Sequence, residues 1–339
     1  MNKLKLYILT LLILLQGSTF VNAQDPHFTQ FYAAPLYLSP SLAGTTAGGR
    51  AIINFRDQWP AIPGAFVTYS LGVDHYLPRF NSGLGFFIMR DQAGSGKLAT
   101  TNVAFQYTYN IMLFKKWSIR PGIQFYHSQR SIQFSELIFN DQITQSGTNS
   151  TSVEVPSDPK VGYFDFAFSM VAYSMKQWFG FTIDHIARPN QSLTNTISHI
   201  PVRFIMFGGY KFMIGGRMGG YSEESFNLAW NYRAQGKFDQ FDIGGYWTKY
   251  QFVVGLWYRG LPGLKAYRPG YMNDDMLAVL AGYEFKSMGL KIAYSYDFTV
   301  SKLVAKTAGA HEISIQYLFN QNQKVRKKHR TVVVPCPKF

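Results

Sequence analysis

In the segment Leu290-Lys291-Ile292-Ala293-Tyr294-Ser295-Tyr296-Asp297-Phe298 every second residue is large and apolar, and Lys, Ala, Ser and Asp fill the positions between. Side chains of a strand alternate between its two faces, so this segment has one greasy face and one wet face. The pattern recurs. Val103, Phe105, Tyr107 and Tyr109 alternate with Ala104, Gln106 and Thr108. Phe226, Leu228, Trp230 and Tyr232 alternate with Asn227, Ala229, Asn231 and Arg233. Ile313, Ile315, Tyr317 and Phe319 alternate with Ser314, Gln316 and Leu318. Segments of roughly ten residues with this period, repeated along a chain, fit an all-β transmembrane antiparallel β-barrel with lipid outside and water or protein inside.

Composition agrees. The chain is 17% aromatic and only 15% charged, whereas about a quarter of an ordinary soluble domain is charged. Beyond the N-terminus there is no apolar run of the roughly eighteen residues that a helical span needs. A soluble sandwich or propeller also alternates, but the aromatic load, the turn spacing and the lack of internal repeats speak against it.

From residue 50 the alternation gives about fourteen strands, an even number as bacterial barrels require. They run near 50–59, 66–76, 83–91, 100–113, 117–128, 163–173, 178–185, 202–213, 225–233, 241–249, 252–259, 276–285, 290–300 and 311–319. The connections at 78–81, 114–116, 175–177, 250–251 and 286–289 are short, and those at 92–97, 130–162, 186–201, 260–275 and 301–310 are longer. Outer-membrane barrels have short periplasmic turns and longer external loops, so both ends of the barrel belong in the periplasm. The Gly-rich connection 214–224 breaks the rule and reads as a bulged turn or a miscounted strand.

The N-terminus indicates the compartment. Lys3 and Lys5 precede the apolar run Leu6 to Leu15, and Val21-Asn22-Ala23 supplies small residues for a signal peptidase. Residues 1–23 therefore read as a secretory signal peptide cleaved near Ala23, and no Cys follows to carry a lipid anchor. Residues 24–48 hold Pro26, Pro35 and Pro40 beside Phe31 and Tyr32, which reads as a plug-like lead-in rather than a strand. Residues 49–320 form the barrel and 321–339 a periplasmic tail. The tail carries Lys324, Arg326, Lys327, Lys328 and Arg330, part of a net charge of +14. This run is either a handle for an acidic partner or a solvated tail. The single cysteine, Cys336, makes no internal disulfide.

Strand parity puts Arg120, Gln124, Asp165, Asn231, Arg233, Lys291 and Asp297 in the lumen, and both signs of charge there imply ion pairs across it. Catalysis has little support. No Gly-x-Ser-x-Gly elbow is present, and Asp184 and His185, adjacent on a strand, are expected on opposite faces. The seven His are dispersed with no Cys/His cluster, so no metal or other cofactor is expected. A secreted barrel meets no nucleic acid.

The stretch Gln24-Asp25-Pro26-His27-Phe28-Thr29-Gln30-Phe31-Tyr32, continuing to Pro35-Leu36-Tyr37-Leu38-Ser39-Pro40 and Ala43-Gly44, resembles the N-terminal motif of the PorP/SprF family of the Bacteroidota type IX secretion and gliding machinery. The likeness continues through Asn54-Phe55-Arg56-Asp57-Gln58-Trp59-Pro60, Asp91-Gln92-Ala93-Gly94-Ser95-Gly96 and Gly162-Tyr163-Phe164-Asp165. The resemblance implies a non-enzymatic outer-membrane barrel that supports secretion or surface anchoring of a large adhesin. It would bind the adhesin's C-terminal sorting domain and contact the translocon or periplasmic machinery. Partner contacts are expected at Asp25, Pro26, Phe28, Gln30, Phe31 and Tyr32. The alternative is a porin-like or hydrophobic-compound transport barrel.

Overall fold

A computed structural model describes residues 25–113, 117–133, 160–194, 196–214, 224–260, 274–300 and 307–320, with short pieces at 137, 142–144 and 147–148. Residues 1–23, expected to be a signal peptide, the basic run from Lys324 to Arg330 and the Gly-rich stretch 215–223 lie outside the described residues.

Fourteen strands form the wall: β1 Gly49–Gln58, β2 Phe66–Leu77, β3 Ser82–Ala93, β4 Leu98–Tyr109, β5 Trp117–Ser131, β6 Lys160–Tyr173, β7 Gln177–Asp184, β8 Arg203–Ile214, β9 Glu224–Gln235, β10 Phe238–Lys249, β11 Phe252–Gly260, β12 Asp274–Phe285, β13 Leu290–Thr299 and β14 Ala310–Phe319. Each pairs antiparallel with its neighbours, and β1 pairs with β14 from Gly49↔Phe319 to Gln58↔Ala310, which closes the ring. Closure removes the free edges of the wall, which a membrane requires because lipid offers no partner to an open ladder.

The expected strand 100–113 is two pieces. β4 stops at Tyr109, level with Ser82 at the start of β3. Asn110 N–H instead bonds the Asn81 carbonyl at 2.7 Å. Ile111–Leu113 then folds back on Trp117 to Ile119 outside the ring. The ladder ends where its partner strand ends.

The two faces separate as the alternation predicts. On β13, Lys291, Ala293, Ser295 and Asp297 are buried inside, while Ile292, Tyr294 and Phe298 are 39%, 43% and 49% exposed on the outer surface. That outward apolar surface is what a bilayer covers. No helix among the described residues is long and apolar enough to cross a membrane. The described connections 78–81, 174–176, 250–251 and 286–289 share one rim with both ends of the barrel chain. We call it the periplasmic rim. Of the described connections on the opposite rim, 59–65 is longer, while 94–97 and 236–237 are short.

A barrel of about eight strands is filled by its own side chains; fourteen strands leave a lumen wider than side chains span. Residues 25–48 fill it. Three short helical pieces, Phe31–Ala33, Pro35–Leu38 and Pro40–Leu42, carry the segment through the interior. Pro35 and Pro40 each begin a piece, where a missing N–H costs nothing and the fixed φ suits a helical turn. The segment leaves at Gly44, whose φ of +64° favours glycine. The wall gives way to it: a Cβ on Gly122 would lie 2.5 Å from the Ser41 nitrogen.

Candidate functional site

Irregular backbone inside a barrel needs a partner for every buried polar group. The wall supplies them in tiers. Near the periplasmic rim, Arg120 donates to the Ser41 and Ala43 carbonyls at 3.2 and 2.5 Å. Asp74, paired with Arg50, accepts Gly44 N–H at 2.6 Å. At mid-height Gln106 donates to the Leu36 carbonyl at 2.6 Å and Thr182 to the Leu38 carbonyl at 3.1 Å. Tyr32 donates to the Gly208 carbonyl at 3.2 Å and accepts from Trp178 Nε1 at 3.0 Å. Phe31 packs edge-on against Trp257, with ring centres 4.7 Å apart.

A higher tier is ionic. Arg56 pairs with Asp297 at 2.8 Å and Glu312 at 3.1 Å. Glu312 accepts the backbone N–H of Thr29 and of Gln30 at 2.7 and 2.9 Å, and Asp297 accepts the Thr29 hydroxyl at 2.6 Å. The Gln30 side chain donates to Ser295 and accepts from Ser314.

The outermost tier holds the start of the segment. Asp25 Oδ2 lies 2.7 Å from His185 Nε2 and 3.2 Å from Arg203 Nη1. His185 Nδ1 lies 2.8 Å from Asp165 and 2.9 Å from the Tyr126 oxygen, which donates to Asp184 at 2.7 Å. Arg203 also pairs with Asp184, donates to the Tyr37 hydroxyl at 2.7 Å and stacks on its ring. Tyr37 in turn donates to the Pro26 carbonyl. This reverses the expectation that Asp184 and His185 face opposite sides. β7 ends at Asp184, and His185 adopts φ +58°. The left-handed turn swings its ring back inside.

Burial pushes the His185 imidazolium down, but Asp25 and Asp184, with the Asp165 hydrogen bond, outweigh it and hold it at about 10. Burial raises Asp25, and His185 with Arg203 bring it well below the usual carboxylate range. Burial, then Arg259 and Arg233, keep His27 neutral, so its Nε2 accepts from Arg259. The raised His185 value means its contribution is complete below the ordinary His pKa of about 6.5 and is lost as pH rises through about 10. The depressed Asp25 value means its contribution is present above about 3.9 and is lost as pH falls. Cleavage of residues 25–34 by an alkaline-active protease, measured against its rate on the denatured chain at the same pH, is therefore expected to be slow at neutral pH and to accelerate above pH 10. Arg203 and Gln235 keep their contacts with Asp25 there, so release is partial.

Above this latch opens a vestibule of about 550 Å³ at the outer rim. Asp25, Pro26 and Tyr37 form part of its floor, and Trp59, Phe66, Asp91, Arg130 and Tyr163 part of its wall. Of the residues expected to meet a partner, Phe28, Gln30, Phe31 and Tyr32 are buried against the wall. Only Asp25 and Pro26 reach the vestibule. The parity-assigned polar residues all point inward, but their ion pairs do not cross the lumen. Arg233 pairs with Asp242 and Lys291 with Glu284, each on an adjacent strand, and Asp297 on β13 reaches Arg56 on β1 past the single strand β14. The lumen is too wide for a cross pair, and the plug makes the crossing instead. Sequence reasoning left Arg56, Glu312 and Arg203 out of the site and set His185 on the face opposite Asp184. The strand residues among them carried a signal, since Glu312 alternates with outward Ile313.

The family model described as type IX secretion system membrane protein PorP/SprF matches residues 20–317. The chain belongs to this family. No curated protein matches it significantly. Among solved structures, the PorP/SprF chain is similar to CdiB from Acinetobacter baumannii, with 8% identity and TM-score 0.42 over 80% of this chain and 60% of that one. It is similar to a Pseudomonas aeruginosa FadL homologue, with 12% identity and TM-score 0.42 over 79% and 89%. The CymD monoaromatic hydrocarbon channel gives 9% identity and TM-score 0.43 over 84% and 91%. Likeness at this level carries no weight for function. This PorP/SprF protein is an outer-membrane barrel of the type IX secretion class.

Proposed function

We propose that this barrel supports secretion or surface anchoring of a large adhesin by holding its C-terminal type IX sorting domain. The observation that carries the reading is the plug. The lumen is occupied by the chain's own residues, hydrogen-bonded to the wall from one rim to the other. Such an interior supports holding a partner better than conducting a solute. The vestibule and the outer connections offer the contact surface, with Asp25 and Pro26 at its floor. Phe28, Gln30, Phe31 and Tyr32 serve by fixing that floor in place.

Affinity purification from native outer membrane tests this. The expected result is co-purification of a large secreted protein bearing a C-terminal sorting domain. Recovery of the barrel with no such protein, from cells that secrete one, overturns the reading. The basic tail adds a second expectation. Reversing the charges of Lys324, Arg326, Lys327, Lys328 and Arg330 should abolish adhesin display while the barrel still inserts, as read by surface immunolabelling. Normal display would make the run a solvated tail.

A further inference from the structure

The vestibule contains polar groups that the plug does not use. Four cations line it beside the neutral His27: Arg56, Arg203 and His185 each hold carboxylates, but Arg130 holds none among the described residues. Among the described residues its Nη1 donates only to the Gln191 amide oxygen, and its buried Nε has no partner. Asp91 faces the same space. It accepts from Thr68 at 2.7 Å and forms no ion pair among the described residues. Asn102 also lines the cavity, and its buried Oδ1 has no donor.

Their spacing is set by register. Asp91 on β3 is opposite Thr100 on β4, and Thr100 is opposite Arg130 on β5. Two strand spacings place the opposite charges about 10 Å apart. Below them the wall is apolar, with Phe87 and Met89. A guanidinium without a counter-ion matches a carboxylate in a planar, two-pronged contact. An amide oxygen without a donor matches a peptide N–H. A lone carboxylate three extended residues away matches a basic side chain, at about 3.3 Å per residue.

We propose that the vestibule binds the carboxy-terminal end of an extended peptide. Its terminal carboxylate lies on Arg130, a backbone N–H on Asn102, and a basic side chain two or three residues upstream on Asp91. The apolar last side chain rests on Phe87 and Met89. This rests on the reading that the barrel holds a protein partner, and it names the part of that partner which enters the lumen.

The test uses the full mature barrel in detergent and the probe acetyl-Thr-Lys-Val-Phe, as free acid and as C-terminal amide, by calorimetry. The acid is expected to bind about ten-fold or more tighter than the amide, because the amide lacks the charge-assisted contact. Arg130→Gln should erase that difference. Asp91→Asn should keep it and erase the preference for Lys over norleucine. The acid–amide comparison on the unaltered protein decides the matter if either variant fails to fold. Equal binding of acid and amide, or binding of neither, overturns the proposal. So does 3-phenylpropionate binding as tightly as the peptide, which would make the occupant a free amphiphilic acid. Loss of the acid preference while a sorting-domain protein still co-purifies rejects this site alone. Acid-specific binding with no such protein co-purifying rejects the proposed function alone.

Discussion

Arg56→Met is expected to unseat the plug and lower the stability of the whole barrel. Arg56 is 3% exposed and neutralises both Asp297 and Glu312, each of which also holds Thr29. Removing the cation leaves two buried carboxylates facing each other. Breaking a buried pair by deleting one partner costs about 3–5 kcal/mol. Protonation of Glu312 would relieve the charge, but a neutral carboxyl is a weaker acceptor for the two backbone N–H groups of Thr29 and Gln30. The denaturation midpoint should fall and a protease should gain access to residues 25–34. Adding Asp297→Asn and Glu312→Gln should restore part of the midpoint, since no buried charge then remains. An Arg56→Met midpoint equal to the parent's would show that this tier does not hold the plug.

The second large effect is on permeability. Deleting residues 25–43 should convert a closed barrel into an open one. The residues removed occupy the lumen from the Asp25 latch at the outer rim to the Ala43 carbonyl held by Arg120 at the periplasmic rim. The wall they leave is lined with Arg120, Asp165, Asn231 and Asp297, which water solvates readily. Proteoliposomes carrying the deletion should swell in small sugars, and those carrying the intact chain should not. The wall itself should persist, because its strand ladder closes through β1 and β14 without the plug.

The wall was legible in the sequence because it obeys one period. Parity alone placed Tyr294 outside and Asp297 inside, and connection lengths put both barrel ends at one rim. The pairing of charges was not legible. Parity shows that Arg56, Asp297 and Glu312 face inward, but only register brings Arg56 opposite Glu312. His185 was misread because period two ends with the strand, and one left-handed residue reverses the side chain. The segment 25–48 has no period at all. Its prolines exclude a strand, yet nothing local says that it runs from the outer rim inward. That direction comes from Asp25 finding His185 and Arg203, and Gly44 finding Asp74.

The central claim is that this barrel is closed by its own N-terminal segment and works by holding a partner. Recording the current across a planar bilayer containing the intact mature chain tests it most directly. The account predicts no stable openings for the intact chain, and openings after residues 25–43 are removed. Stable, ohmic openings of the intact chain would contradict it.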